Sequence, residues 1–294
     1  MSTNEGKFTQ WSKIRNTILL LRIPFSFFLS PVYFFALVCC PAADFSRALQ
    51  VFVLLHLLVY PASNGYNSFM DKDTESIGGL QFPPKPDKNL FWLTLIMDAI
   101  ALSWAWVLNP VFAIMVLTYI LASRAYSWRG IRLKKYPIGG FLTVFIFQGA
   151  WTLAMVFCGV NSEFPLLFIP PLPMIISSCL IGAVYPLTQI YQHEQDKNDG
   201  VKTLSMLLGF RGTFVFAGLF FLVANTCLFF FLRHLGLMEF YFRFAICNLP
   251  VIFFFLGWAR KVWIDTSQAN FRNTMLMNLI SAIFLNISFI SMLA

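Results

Sequence analysis

Nine stretches of about 20 predominantly apolar residues follow one another along this chain of 294 residues, separated only by short polar connections. A helix rising about 1.5 Å per residue needs that length to cross a hydrocarbon core roughly 30 Å thick. The stretches run approximately Asn16–Cys40, Leu49–Tyr66, Leu90–Leu108, Val111–Tyr126, Pro137–Cys158, Pro165–Tyr191, Gly212–Leu232, Phe240–Trp258 and Met275–Leu293. Nothing in them alternates with the period of a barrel strand, so backbone groups in lipid have to be paired within helices. The sequence therefore predicts an all-α polytopic membrane protein of about nine transmembrane helices. No linker or low-complexity stretch interrupts it, so residues 1–294 read as one integral domain. Charged residues make up 12% of the chain, far below the roughly one quarter usual in soluble domains. The first stretch is too long for a signal core, carries Arg22 and lacks a small-residue cleavage site, so it is expected to stay attached.

The basic residues orient this stack. With the N-terminus cytoplasmic, 17 of the 21 Lys and Arg residues fall in cytoplasmic stretches, against Arg47 and Arg233 in the opposite loops. Nine spans with the N-terminus inside and the C-terminus outside satisfy the positive-inside rule. The net charge of +8 then requires no nucleic-acid partner. The six cysteines lie in or beside apolar stretches with no C-x-x-C pair, and read as small membrane residues rather than ligands.

The same topology gathers nine of the thirteen carboxylates on the cytoplasmic side, seven of them in or beside the loops after spans two and six. In the first loop, "NSFMDKDTE" spaces Asn67, Asp71 and Glu75 by four. On a continuing helix each would lie about 40° from the last and roughly 6 Å further along, making one stripe of oxygen donors. Such a stripe suits Mg²⁺, which takes one or two carboxylates and fills its remaining positions with water and phosphate oxygens. Asp73 would point away from it. The plain alternative is a solvated helix end. In the second loop, Gln192 and Asp196 are again four apart, with Asp199 near the same face and Gly200 offering a helix stop. Between these loops "RAYSWRGIRLKK" carries five basic residues in twelve positions. Two acidic loops flanking a basic one suit a magnesium diphosphate: carboxylates hold the metal, and cations neutralise phosphate charge as a leaving group departs.

The ordered motifs resemble those of the UbiA-type intramembrane prenyltransferases. The family's N-x-x-x-D-x-x-x-D falls on Asn67, Asp71 and Glu75, with Glu in place of the last Asp. Its D-x-x-x-D followed by G-x-K-T-L falls on Gln192, Asp196, Gly200, Lys202, Thr203 and Leu204, with Gln in place of the first Asp. The Tyr-Ser followed by R-L-K falls on Tyr126, Ser127, Arg132, Leu133 and Lys134. The resemblance runs from about Arg22 to Gly209. It implies a nine-helix fold that transfers an isoprenyl group from its diphosphate to an aromatic, quinone-precursor-like acceptor. Asn67, Asp71, Glu75, Gln192 and Asp196 would then hold Mg²⁺, with Asp71 and Asp196 the catalytic pair, while Arg132, Lys134 and Lys202 would bind diphosphate oxygens. Gln192 brings no negative charge, so Asp199 or Glu194 would be called on to substitute.

Other polar and aromatic residues have two readings each. Asp98, an acid inside a span, is either a substrate contact or a buried partner for another side chain. Tyr126, Gln148 and Tyr185 are candidate acceptor or pocket residues, and Tyr66, Phe69, Trp151 and Tyr191 candidate chamber walls, with packing as the alternative. Arg22 is expected to snorkel to the interface, with a phosphate contact as the alternative, and His193 to serve at the surface. Two further functions stay open: a terpene cyclase of the same fold, in which the prenyl chain's own double bonds are the nucleophiles, and a transporter or lipid-binding protein. Charges gathered at one face and no evident inverted repeat argue against transport.

Overall fold

The computed structural model describes residues 2–40, 43–161 and 169–293, with the backbone alone for residues 2–10. Among these, regular structure is helical: α1 (Ser2–Leu20), α2 (Ser30–Val38), α3 (Phe45–Val53), α4 (Tyr60–Asp71), α5 (Lys88–Leu108), α6 (Pro110–Ser127), α7 (Pro137–Val144), α8 (Thr152–Val160), α9 (Pro171–Gln189), α10 (His193–Asn198), α11 (Leu204–His234), α12 (Met238–Cys247), α13 (Leu249–Ile264) and α14 (Phe271–Ile290). Among the described residues eight helical stretches are long and apolar enough to cross a membrane, and α12 with α13, bent by 42°, pass the same test together, as a broken span or a re-entrant loop would. The expected start of span six at Pro165 lies outside the described residues.

Several spans predicted as continuous are broken, and each break has a local cause. Pro24 removes an N–H just past α1, Arg22 takes a left-handed conformation (φ 50), and a 3₁₀ segment, Ile23–Leu29, leads into α2. In span two a wide π turn, Leu54–Val59, joins α3 to α4 ahead of Pro61. Pro61 has no N–H to give, and the His56 carbonyl five residues earlier is taken up by Ser26 Oγ at 3.0 Å. A second π turn, Phe145–Trp151, joins α7 to α8. There Ser178 Oγ donates to the Phe145 carbonyl at 2.8 Å and accepts from the Ala150 N–H at 2.9 Å. Gly209 (φ 67) kinks α11, with Thr213 Oγ1 on its carbonyl at 2.7 Å. At Asn248, between α12 and α13, the amide donates to the Phe244 carbonyl and to Ser288 Oγ, both at 2.9 Å.

Helix α9 packs along α11 and against the second π turn, and the main core gathers Phe35, Tyr60, Phe112, Leu153, Met155 and Phe289. Gly149 permits that approach, because a Cβ there would stand 2.4 Å from Ser178 Cα. Spans three and four are tied by the ion pair between buried Asp98 on α5 and half-buried Arg124 on α6, whose guanidinium also lies 3.9 Å from the centre of the Tyr66 ring. Asp98 is thus the partner of a cation.

Gly149→Ala is expected to lower the melting temperature in detergent by several degrees, as overpacking of about 1–3 kcal/mol would. Gly257→Ala, inside α13 with open space at its Cβ, should leave it no lower than the parent's, since alanine favours the helix; equal melting of the two variants would contradict the close approach. Asp98→Ala strands the Arg124 charge, a loss of roughly 3–5 kcal/mol when one partner of a buried pair goes. The double variant Asp98→Ala, Arg124→Leu should recover part of that stability in the same thermal scan, and no recovery would argue against the pairing.

Candidate active site

Helices α4, α6 and α9 end around a cavity of about 240 Å³ lined by charged residues from the helix ends and loops and by aromatic and neutral polar residues from the spans. Asp71, Asp73, Asp196, Arg22, Lys134 and Gln192 line the mouth, while Tyr126, Tyr185, Gln148, Phe28 and Phe147 line the chamber.

The first acidic stripe is shorter than its spacing predicts. Lys72 adopts a left-handed conformation (φ 57) and closes α4 at Asp71, its N–H still on the Ser68 carbonyl at 3.1 Å. Asn67 and Asp71 therefore share one face as expected, but Glu75 leaves it: Glu75 is exposed and outside the cavity lining, and Asp73, expected to point away, is part of the wall. Ser127 Oγ donates to Asn67 Oδ1 at 2.8 Å, turning that amide at the cavity rim.

The basic loop after α6 is folded onto these acids. Lys134 pairs with Asp71 Oδ2, and Arg132 Nη2 stands 3.7 Å from Asp71 Oδ1. Arg132, itself left-handed (φ 53), is held by the Asp199 carboxylate and carbonyl. It supports Asp71 from behind instead of lining the cavity. Arg129, which the motifs did not single out, caps α4: it donates to the Met70 carbonyl at 2.8 Å and the Asp71 carbonyl at 3.3 Å, and pairs with Asp199 at 3.2 Å. Asp199 is thereby committed to the two arginines. Lys202 is exposed and lines no part of the cavity. Its segment is extended between Gly200 and the cap of α11, so Val201 and Thr203 turn inward and Lys202 turns out.

From the other acidic loop Asp196 and Gln192 both reach the mouth, joined through the Asp196 N–H on the Gln192 carbonyl at 2.8 Å, while Glu194 is exposed. Burial, then the neighbouring Asp71 charge, pushes the Asp73 carboxyl up to about 6. Burial, with the charges of Asp73, Asp71 and Asp199, pushes Asp196 up to about 7 against the pull of Lys134. Burial is the first cause at both carboxyls, and the cavity lining sets three acids, Asp71, Asp73 and Asp196, against two cations, Arg22 and Lys134.

Arg22 does not snorkel. The break after α1 turns it into the cavity wall, where Nη1 donates to the Gly78 carbonyl at 3.2 Å and Nη2 to the Asn64 carbonyl at 3.1 Å. Pro24, two residues on in an apolar stretch, was the available signal. In the chamber the Tyr126 and Tyr185 hydroxyls are 2.8 Å apart. Of the aromatics expected as walls, Tyr185 and Tyr191 line the cavity; Tyr66, Phe69 and Trp151 do not, and Phe25, Phe28 and Phe147 are there instead. Trp151 is turned away by its indole N–H, which donates to the Met115 carbonyl at 3.0 Å. His193 is half-buried, a ring nitrogen 2.8 Å from Ser205 Oγ and the ring stacked on Phe210, so the surface role is replaced by a packing one.

Among the described residues no three His, Cys, Asp or Glu side chains converge as a self-sufficient metal cage. The donors present are all oxygens, from Asn67, Asp71, Asp73 and Asp196, and Asp71 Oδ1 is buried without a hydrogen-bond partner. That set fits a hard cation that completes its coordination with a ligand's phosphate oxygens and water.

Solved structures share this architecture. The structure of digeranylgeranylglyceryl phosphate synthase in membranes superposes with a TM-score of 0.61 at 16% identity, over 96% of this chain and 98% of that one. A UbiA homolog from Archaeoglobus fulgidus bound to GPP and Mg²⁺ gives 0.63 at 17% identity, over 95% and 99%. A UbiA homolog from Aeropyrum pernix K1 gives 0.60 at 16%, over 91% and 97%. At these identities the likeness is one of fold. No curated protein matches the chain. The model of the UbiA prenyltransferase family matches residues 28–280, most of the chain, and takes in α2, both acidic loops and the basic loop between them: this multi-pass membrane protein belongs to the UbiA prenyltransferase family.

Proposed function

We propose that the chain, acting as one integral domain, transfers an isoprenyl group from an isoprenyl diphosphate to an aromatic, quinone-precursor-like acceptor inside the membrane, with Mg²⁺ at the charged mouth. The observation that carries this reading is the division of one cavity into a mouth of paired acids and bases and a chamber of aromatic walls. The positive-inside distribution supports a cytoplasmic mouth and N-terminus with the C-terminus outside. The related structures with GPP or DMAPP and Mg²⁺ supply the donor class.

Asn67, Asp71, Asp73 and Asp196 would hold the metal, and Lys134 and Arg22 would face the diphosphate. Mg²⁺ supplies neutralisation of the diphosphate oxygens. As the allylic C–O bond ionises, Lys134 and Arg22 oppose the negative charge that gathers on the leaving group. Arg132 and Arg129 keep Asp71 and the end of α4 in place through Asp199. The aromatic faces of Tyr126, Tyr185, Phe28 and Phe147 shelter the allylic cation from water and attract it. The same walls suit a flat acceptor, with Gln148 offering hydrogen bonds.

Membranes containing the protein, incubated with Mg²⁺, isoprenyl diphosphates of several lengths and a panel of aromatic acceptors, should yield acceptor-dependent adducts by mass spectrometry. Cyclic hydrocarbon without acceptor would instead establish the cyclase, and no consumption of any diphosphate would reject both. Asp71→Asn and Asp196→Asn should each lower turnover by at least about a hundredfold, the scale on which electrostatic stabilisation acts, while leaving the protein folded; activity near the parent's would remove these residues from the site.

The raised carboxyls give a pH dependence. Between pH 4 and about 7 the folded chain holds protons on Asp73 and Asp196 that the unfolded chain has lost, so this part of its stability falls as pH rises through that window. A divalent cation answers the deficit only once the carboxyls are ionised. Mg²⁺ with an isoprenyl diphosphate should therefore raise the melting temperature more at pH 8 than at pH 5.5, and the reverse order would contradict carboxylate ligation.

A further inference from the structure

The loop after α4 is fastened over the cavity by side chains from two other elements. Gln192 Nε2 donates to the Ser76 carbonyl at 3.2 Å, and Gln195 Nε2, one turn along α10, donates to the Asp73 carboxylate. From the broken first span, Arg22 Nη1 donates to the Gly78 carbonyl at 3.2 Å. Within the loop, Ile77 and Leu80 exchange both backbone hydrogen bonds at 2.9 Å, and Ile77 is buried. Gly78 lies so close on Phe25 that a Cβ would stand 2.6 Å from the ring, and Gly79 turns the chain with φ 86. Asp73, Ile77 and Gly78 all line the cavity. The loop is a wall.

Position 192 is where the second acidic motif lacks its first acid. A carboxylate there would have no N–H for Ser76 and would set a negative group against a carbonyl oxygen, and an aspartate would also be one methylene short. The amide satisfies that carbonyl and adds no charge to a mouth already holding Asp71, Asp73 and Asp196. We propose that Gln192 is a positioning residue: its carboxamide latches the Asp73–Leu80 loop to α10 and so sets Asp73 in the cavity wall. The consequence for diphosphate binding rests on the reading of the mouth given above; the latch itself does not.

Hydrogen–deuterium exchange on the full chain in detergent, without substrate, tests the latch directly. In Gln192→Glu and Gln192→Leu the amides of Ile77 and Leu80 should exchange about tenfold faster, the factor for loss of one hydrogen bond, while those of α5 and α6 keep the parent's rates. If the leucine variant fails to fold, the isosteric glutamate variant carries the test alone. For turnover, both variants should raise KM for the isoprenyl diphosphate more than they lower kcat. Gln192→Glu should not strengthen Mg²⁺ binding. Unchanged exchange at Ile77 and Leu80 would overturn the proposal, as would a glutamate variant that binds Mg²⁺ more tightly with the loop still protected, since that would make position 192 a ligand. Faster exchange in a protein that consumes no isoprenyl diphosphate would uphold the latch and reject the prenyl-transfer reading instead.

Discussion

A helix that breaks inside lipid exposes backbone groups that water cannot reach, and each must find a partner within the protein. Here four of the breaks are answered by particular side chains: Ser26 for His56, Ser178 for Phe145 and Ala150, Thr213 for Gly209, Asn248 for Phe244. The arrangement of the site depends on this. A straight first span would leave Arg22 on a continuous helix. The break at Arg22 turns a cation inward, while the two π turns alter the register of the spans that carry Asn67 and Gln148.

The charges then sort themselves by depth. Asp199 does not reach the cavity, yet it holds Arg129 and Arg132, and through them the end of α4. Asp71 is thus flanked by Lys134 and Arg132, while Asp73 and Asp196 are raised first by burial and less by the neighbouring carboxylates. A site with fixed cations and an unmet negative surplus accommodates a ligand that is both: a polyanion arriving with a metal ion.

The spans and the three motifs were legible in the sequence because they depend on length, composition and spacing, which survive any local detail. Asn67, Asp71, Asp196 and Lys134 accordingly meet in one mouth. What was not legible turned on single backbone conformations. The stripe expected to reach Glu75 ends at Asp71 because Lys72 is left-handed, and no residue type at 72 announces that. Lys202 faces out because its segment is extended, although the motif it sits in is in place. Arg22 was readable in principle, since a proline two residues later in an apolar stretch marks a break. The pairing of Asp98 with Arg124 joins residues 26 apart on two spans, and no local spacing announces it.

The mouth and the chamber set opposite demands on the loop between them. Ionisation needs dense charge at the diphosphate, whereas the allylic cation needs a wall without nucleophiles or water. The Asp73–Leu80 loop serves both sides: Asp73 faces the charged mouth, and a few residues later Ile77 is buried as apolar wall. A loop spanning that boundary cannot be held by ion pairs alone without drawing charge away from the mouth. Neutral amides at positions 192 and 195 hold it without that cost, which gives a physical reason for glutamine where a carboxylate was expected.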